Sequence, residues 1–180
     1  GWYSLFATTT GYASTGIGFS ALYNQTTGHQ NVAVGYQSLT ALTTGYYNVA
    51  VGNAAGNDIT TGIHNTLIGA NAGDALTDAD TNVAVGSAAL TSDTKGSKNT
   101  AVGHSALEAQ NFTSATTSYN TAIGSDAGKA ISTGVRNTIV GSNAGDALTD
   151  SSSNVAIGYS SLSANTRGSD NVAVGRGTLE

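Results

Sequence analysis

Apolar residues recur along this chain in short alternating runs at a fixed interval. The run is a five-residue unit, Asn-x-Ala-(Val/Ile)-Gly. It reads "NVAVG" at 31, 48, 82 and 171, "NTLIG" at 65, "NTAVG" at 99, "NTAIG" at 120, "NTIVG" at 137 and "NVAIG" at 154. A degenerate copy, "STGIG", starts at Ser14. The closing glycines run Gly1, Gly18, Gly35, Gly52, Gly69, Gly86, Gly103, Gly124, Gly141, Gly158 and Gly175. Each step is 17 residues except the one from Gly103 to Gly124, which is 21. A short fixed period of this kind is the signature of a repeat architecture.

Inside the unit the alternation has period two, so each unit predicts a strand. With Asn as position one, positions two and four carry Val, Thr or Ile on one face, and positions three and five carry mostly Ala and Gly on the other. Position four is never polar, so that face is expected to be the core. The Ala row would then lie opposite, small enough to pack against a neighbouring chain. Seventeen residues suit two short strands and two turns per coil, rising about 4.8 Å. About ten coils make an all-β parallel solenoid on the order of 50 Å long, a single repeat domain over 1–180.

The second half of each coil follows a compensation rule. Position nine is Leu5, Leu22, Leu39, Leu90, Leu107, Leu162 or Leu179 in most coils, but Gly56, Gly73, Gly128 or Gly145 in four. Those four place Ile59, Leu76, Ile131 and Leu148 at position twelve. The Leu-type coils hold a polar residue at position twelve, with Leu42 the one apolar exception. One large aliphatic per coil, from either of two places, is what a narrow close-packed interior demands. The two coil types alternate in pairs, which gives a four-coil super-repeat. "NTLIGANAGDALTD" at 65–78 accordingly returns almost unchanged as "NTIVGSNAGDALTD" at 137–150. The Asn column is open to two readings, an amide ladder along the rod or a set of local turns. A second column, of threonines at position thirteen, includes Thr26, Thr43, Thr60, Thr77, Thr94, Thr149 and Thr166.

Composition narrows the function classes. Charged residues are 9% of the chain, the net charge is −5, and only six residues are basic. Such a chain cannot neutralise a run of phosphates, so nucleic acid is not expected as a partner. No apolar stretch is long enough to span a membrane, and none is expected to insert. Cysteine is absent, which excludes disulfides and thiolate metal sites. His29, His64 and His104 occupy three different repeat positions and do not converge on a metal site or a triad. The doubled "GDALTD" lacks the glycine framework of calcium-binding rolls, and each glycine closes a strand rather than opening a phosphate-binding helix. Neither cofactor nor enzymatic activity is expected.

The "NVAVG/NTAIG" core resembles the Val-Ala-Ile-Gly repeat of trimeric autotransporter adhesin heads. "NTAVGHSAL" and "NVAVGYQSL" are similar to repeats of phage and viral tail fibres. The likeness covers essentially the whole chain, although the period is longer than is usual in the adhesins and Asn precedes the Val. It implies a left-handed β-roll in a side-by-side homotrimer, an extracellular fibre or adhesin segment on a virion or bacterial surface. Because the chain opens in mid-repeat at Gly1, a longer parent fibre is expected. The partner implied is a host-surface glycan or protein receptor.

Two departures from the repeat are candidate contact sites. The four-residue insertion falls within 104–119, in "EAQNFTSATTSY" at 108–119, and is expected to protrude with Asn111, Phe112, Thr113 and Tyr119. Nine of the twelve aromatic residues lie in the first 47, with Tyr36, Tyr46 and Tyr47 as a candidate aromatic surface. The alternative from another class is an ice-binding solenoid, motivated by Thr26-Thr27, Thr43-Thr44 and Thr60-Thr61. That row is broken at Asp78, Lys95, Asp150 and Arg167. A hexapeptide-repeat acyltransferase fits poorly, with one aliphatic-Gly unit per coil where three are needed.

Overall fold

The computed structural model describes residues 1–179. It is an all-β parallel solenoid. Twelve short strands are β1 Thr15–Ile17, β2 Val32–Val34, β3 Val49–Val51, β4 Thr66–Ile68, β5 Val83–Val85, β6 Gly96–Ser97, β7 Thr100–Val102, β8 Thr116–Thr117, β9 Thr121–Ile123, β10 Thr138–Val140, β11 Val155–Ile157 and β12 Val172–Val174. Ten form one parallel sheet in the order β1-β2-β3-β4-β5-β7-β9-β10-β11-β12. The register is exact at one coil per step: Val32 faces Val49 and Val49 faces Thr66. Thr100 faces Thr121, so the longer coil leaves the register intact.

Only one regular strand forms per coil, not two. The remainder is a chain of turns, and its cause lies in three left-handed positions. Position seven (Ser20, Gln37, Ala54), position nine (Leu22, Leu39, Gly56) and position seventeen (Gln30, Tyr47, His64) all have φ between 50° and 60° or within a degree of it. The N–H groups at two of these positions bond to opposite neighbours. Gln37 donates to Phe19 O of the coil before (2.9 Å), and Leu39 donates to Ala55 O of the coil after (3.0 Å). The backbone is thus bonded between coils without a second continuous sheet. Where regular pairing does occur on this side, it is β6 with β8 beside the insertion, plus a single bridge between His29 and Tyr46.

The sheet faces the opposite way from the expectation. The residues at position three are the core: Ala33, Ala50, Leu67, Ala84, Ala101, Ala122, Ile139 and Ala156 are fully buried. The residues at positions two and four point out of the coil, and none of them is buried in any of the ten strands. The reason is width. A 17-residue coil has a narrow interior, and in every complete coil a large aliphatic from the turn side occupies most of it. Leu22, Leu39, Leu90, Leu107 and Leu162, or Ile59, Leu76, Ile131 and Leu148, are all at zero exposure. An Ala on the strand wall fills what is left.

One large aliphatic per coil is therefore a minimum: position nine or twelve always supplies one, Leu39 and Leu42 share a coil, and two further coils add a second from the strand. In the coils of Gly73 and Gly145, position three enlarges to Leu67 and Ile139. A methyl on Gly73 would lie 2.8 Å from Leu67 Cδ2 and 2.9 Å from Leu76 Cδ1. A methyl on Gly145 would lie 3.0 Å from both Ile139 Cδ1 and Leu148 Cδ1. The closing glycine of each unit is obligatory for another reason. Its φ lies between 125° and 146°, and in all but the last a Cβ would run into the carbonyl of the same glycine one coil on.

The Asn column is an amide ladder. Asn65 N–H and Nδ2 both donate to Asn48 Oδ1 (3.0 and 3.1 Å), Nδ2 also donates to Ala79 O (2.8 Å), and Asn65 Oδ1 accepts from Asn82 N–H (2.9 Å). Asn31 through Asn154 are at or near zero exposure. The ladder changes partners at the insertion, where Asn99 Oδ1 accepts from Ser118 Oγ (2.8 Å) as well as from Asn120 N–H. Asn120 Nδ2 turns to Gln110 Oε1 (2.7 Å), as Asn31 Nδ2 turns to Gln25 Oε1 (3.1 Å). A buried glutamine thus caps the start of each run.

Candidate interaction surfaces

Three surfaces follow from this geometry. The first is the outward face of the ten-stranded sheet. All twenty residues at positions two and four of its strands are Val, Ile or Thr, and no charge interrupts them. β-Branched side chains stand stiffly off a strand, and exact register lines them up in two straight rows. Nine steps of about 4.8 Å make this a flat stripe about 43 Å long. Ile68, Ile123 and Ile157 are each about two-fifths exposed, and Val174 is 63% exposed. Fifteen of the twenty are Val or Ile, and an exposed apolar strip of this length is a candidate contact site.

The second surface is the insertion. It does not present Phe112, whose ring is buried against the coil. The loop is fastened inward by Asp93, itself fully buried. Asp93 Oδ1 accepts from Gly96 N–H (3.0 Å) and Phe112 N–H (3.1 Å), and Oδ2 accepts from Gln110 Nε2 (2.6 Å). Thr94 Oγ1 donates to Phe112 O (2.7 Å). A buried carboxylate supplied with three N–H donors needs no cation to offset its desolvation. What the loop exposes is Asn111, Thr113 and, past β8, Tyr119, over whose ring Lys98 Nζ sits at 5.4 Å. The insertion is a tied-down flap, and its one exposed aromatic is already engaged by a neighbour.

The third surface is aromatic and has two corners. At one, Tyr12, His29 and Tyr46 stack in successive coils at 4.9 and 5.0 Å, and Tyr47 stacks on His64 at 5.0 Å. At the other, Phe19 stacks on Tyr36 (5.6 Å) and Phe6 on Tyr23 (5.3 Å). Tyr3 stands between these two columns, edge-on to Phe6, Phe19 and Tyr23. The three tyrosines singled out in the sequence therefore do not form one site. Tyr36 belongs to one corner, Tyr46 and Tyr47 to the other. The sequence signal that separates them is the repeat position: six for Tyr36, sixteen and seventeen for the pair.

The threonine column has structural work to do. Thr26, Thr43, Thr60 and Thr77 each donate Oγ1 to the position-thirteen carbonyl of the next coil, at 3.1–3.3 Å. Only the second threonine of each pair is left facing water, and that row ends at Asp78.

Three acidic groups are shifted in ways the packing explains. Burial pushes the Asp74 carboxyl above its ordinary value, against a short bond from Thr91 Oγ1 (2.6 Å) that pulls it down. Burial raises Asp146 in the same way. Asp126 goes the other way, lowered by the bond from Lys129 Nζ at 3.0 Å. Among the described residues, no group of three His, Cys, Asp or Glu side chains is placed to hold a metal ion. Likewise, no helix is long and apolar enough to cross a membrane. The chain matches no protein-family model, and neither a curated protein nor a solved structure matches it.

Proposed function

We propose that this chain is a structural and adhesive segment of an extracellular fibre, a rod that associates side by side with two copies of itself and supports attachment to a host-surface receptor. The observation that carries the reading is the stripe of β-branched side chains on the outward face of the sheet. It is straight, uncharged and as long as the rod, so the surface that fits it along its whole length is another straight rod of the same period. Three identical stripes meeting on a common axis would remove all of them from water. This assigns the chain interface to positions two and four, and places the Ala row inside the coil. The likeness to adhesin-head and tail-fibre repeats supports both the trimer and the location outside the cell.

The test is a pair of charges on the stripe. In the variant Val85→Lys with Val102→Lys, the mass by sedimentation is expected to fall from about three chains to one, because buried unpaired ammonium groups are not tolerated at an interface. Thr44→Lys with Thr61→Lys, on a different edge of the coil, is expected to leave the mass unchanged. Equal masses for the two variants would remove the stripe as the interface. The ice-binding alternative keeps only the second threonine of each pair, Thr27, Thr44 and Thr61, because the first donates its hydroxyl to the next coil.

A further inference from the structure

The rod is polarised in a way the repeat hides. The first charged side chain is Asp58, so residues 1–57 contain no Lys, Arg, Asp or Glu at all. The same stretch holds nine of the twelve aromatic residues. Six of these form the corner built from positions six, seven and ten: Trp2, Tyr3, Phe6, Phe19, Tyr23 and Tyr36. Phe19 and Tyr36, each with a coil on both sides, are 41% and 49% exposed. Further along the rod the same three repeat positions hold one aromatic, Tyr159, and otherwise small, polar or charged residues, among them Asp74, His104, Glu108, Lys129, Asp146 and Arg176. The patch is therefore a feature of the first coils and not of the repeat.

We infer that this corner is a binding surface for a neutral glycan, which names the ligand class within the adhesive reading above and rests on it. Three observations converge. The rings are held against one another, so little side-chain freedom is lost when a ligand is bound; tyrosine and tryptophan give large contact area at low entropic cost. Asn24 and Gln37, which follow Tyr23 and Tyr36 in the chain and are exposed and half-buried, are amides, which both donate and accept as sugar hydroxyls require. No fixed charge stands within the patch to recognise an anion, and none offers the arginine anchors that are common in protein–protein contacts. An uncharged, hydroxyl-bearing ligand with apolar C–H faces is the complement of such a surface.

The experiment is a printed array of neutral hexose and N-acetylhexosamine oligosaccharides beside sialylated and sulfated ones, probed with the labelled chain at 50 and 500 mM salt. Binding to neutral glycans that changes less than about twofold across that range is expected, since no ion pair is screened. Tyr36→Ala and Phe19→Ala are each expected to weaken it about tenfold or more, and Tyr36→Phe to retain most of it. Tyr159→Ala, at the same repeat position in the charged part of the rod, is expected to leave it unchanged. Binding confined to anionic glycans, binding untouched by both alanine variants, or binding to no glycan while a protein receptor is captured would each overturn the inference. Failure here is distinct from failure of the fibre: a trimer that binds no glycan keeps the fibre and loses this site, and a monomer that binds neutral glycans does the reverse.

Discussion

At the scale of single residues, the buried asparagines decide whether one coil can stack on the next. Asn65 satisfies the Asn82 N–H and the Ala79 carbonyl, two backbone groups that no water reaches. Asn65→Ala leaves both unpaired at roughly 1–3 kcal/mol each, so urea unfolding is expected to show a loss of about 2–4 kcal/mol. A surface change such as Thr61→Ala is expected to stay within about 0.5 kcal/mol. Asp74 supplies a pH test. Its folded-state pKa is raised by burial, so the folded protein binds its proton more tightly than the unfolded chain does. The carboxylate is therefore a cost at neutral pH, and that cost disappears as pH falls through the raised value to the ordinary one. Asp74→Asn is expected to melt above the unmodified chain near pH 7, with the gap closing by about pH 4. A gap that widens on acidification would contradict the assignment.

At the scale of one coil, the competition is between a strained backbone and a filled interior. Leu at position nine is held left-handed, which costs about 1–2 kcal/mol, and its burial returns about 1.5–3 kcal/mol. Glycine there removes the strain and the filling together, so position twelve must supply the aliphatic. Leu39 and Leu42 share one coil, and both are fully buried. Leu39→Gly therefore leaves a coil of the Gly type already filled from position twelve. Leu90→Gly leaves one with Asp93 in that place. By denaturant unfolding the second is expected to cost about 3–5 kcal/mol and the first at least about 1 kcal/mol less. Equal losses would mean that the two positions do not substitute for each other. This rule could be read in the sequence because it is a correlation between columns. Which face of the strand holds the core could not. Val-x-Val alternation fixes that one face is apolar, but with Ala between the valines the sheet buries its small residues and exposes its large ones. The deciding quantity is the width of a 17-residue coil, and it belongs to the closed shape. Phe112 misled for a related reason: an insertion reads as a protruding loop until Asp93, 19 residues earlier, is seen to tie it down.

At the scale of the whole molecule, the unbroken register makes a straight rod, and the straight rod makes a straight stripe. Every strand contributes one outward pair, so the apolar strip lengthens with each coil while the ends stay the same size. A surface that grows in proportion to length favours association along the sides over association at the ends. The same regularity leaves function to what departs from it. The tied-down insertion keeps its exposed face small and polar, and the uncharged aromatic corner of the first coils stands out against a rod that carries every charge beyond residue 57. That polarity was visible in the sequence as a count. The grouping of Tyr36 with Phe19 is legible from their shared repeat position, but that Phe6 and Tyr23, at position ten, join the same corner becomes evident only when the repeat is wound into a coil.

The most direct measurement is the mass of the unmodified chain by sedimentation equilibrium across a range of micromolar concentrations. About three times 17.8 kDa is expected, with the stripe of each rod covered by its neighbours. A single species at 17.8 kDa that stays soluble with the valines and isoleucines in water would contradict it.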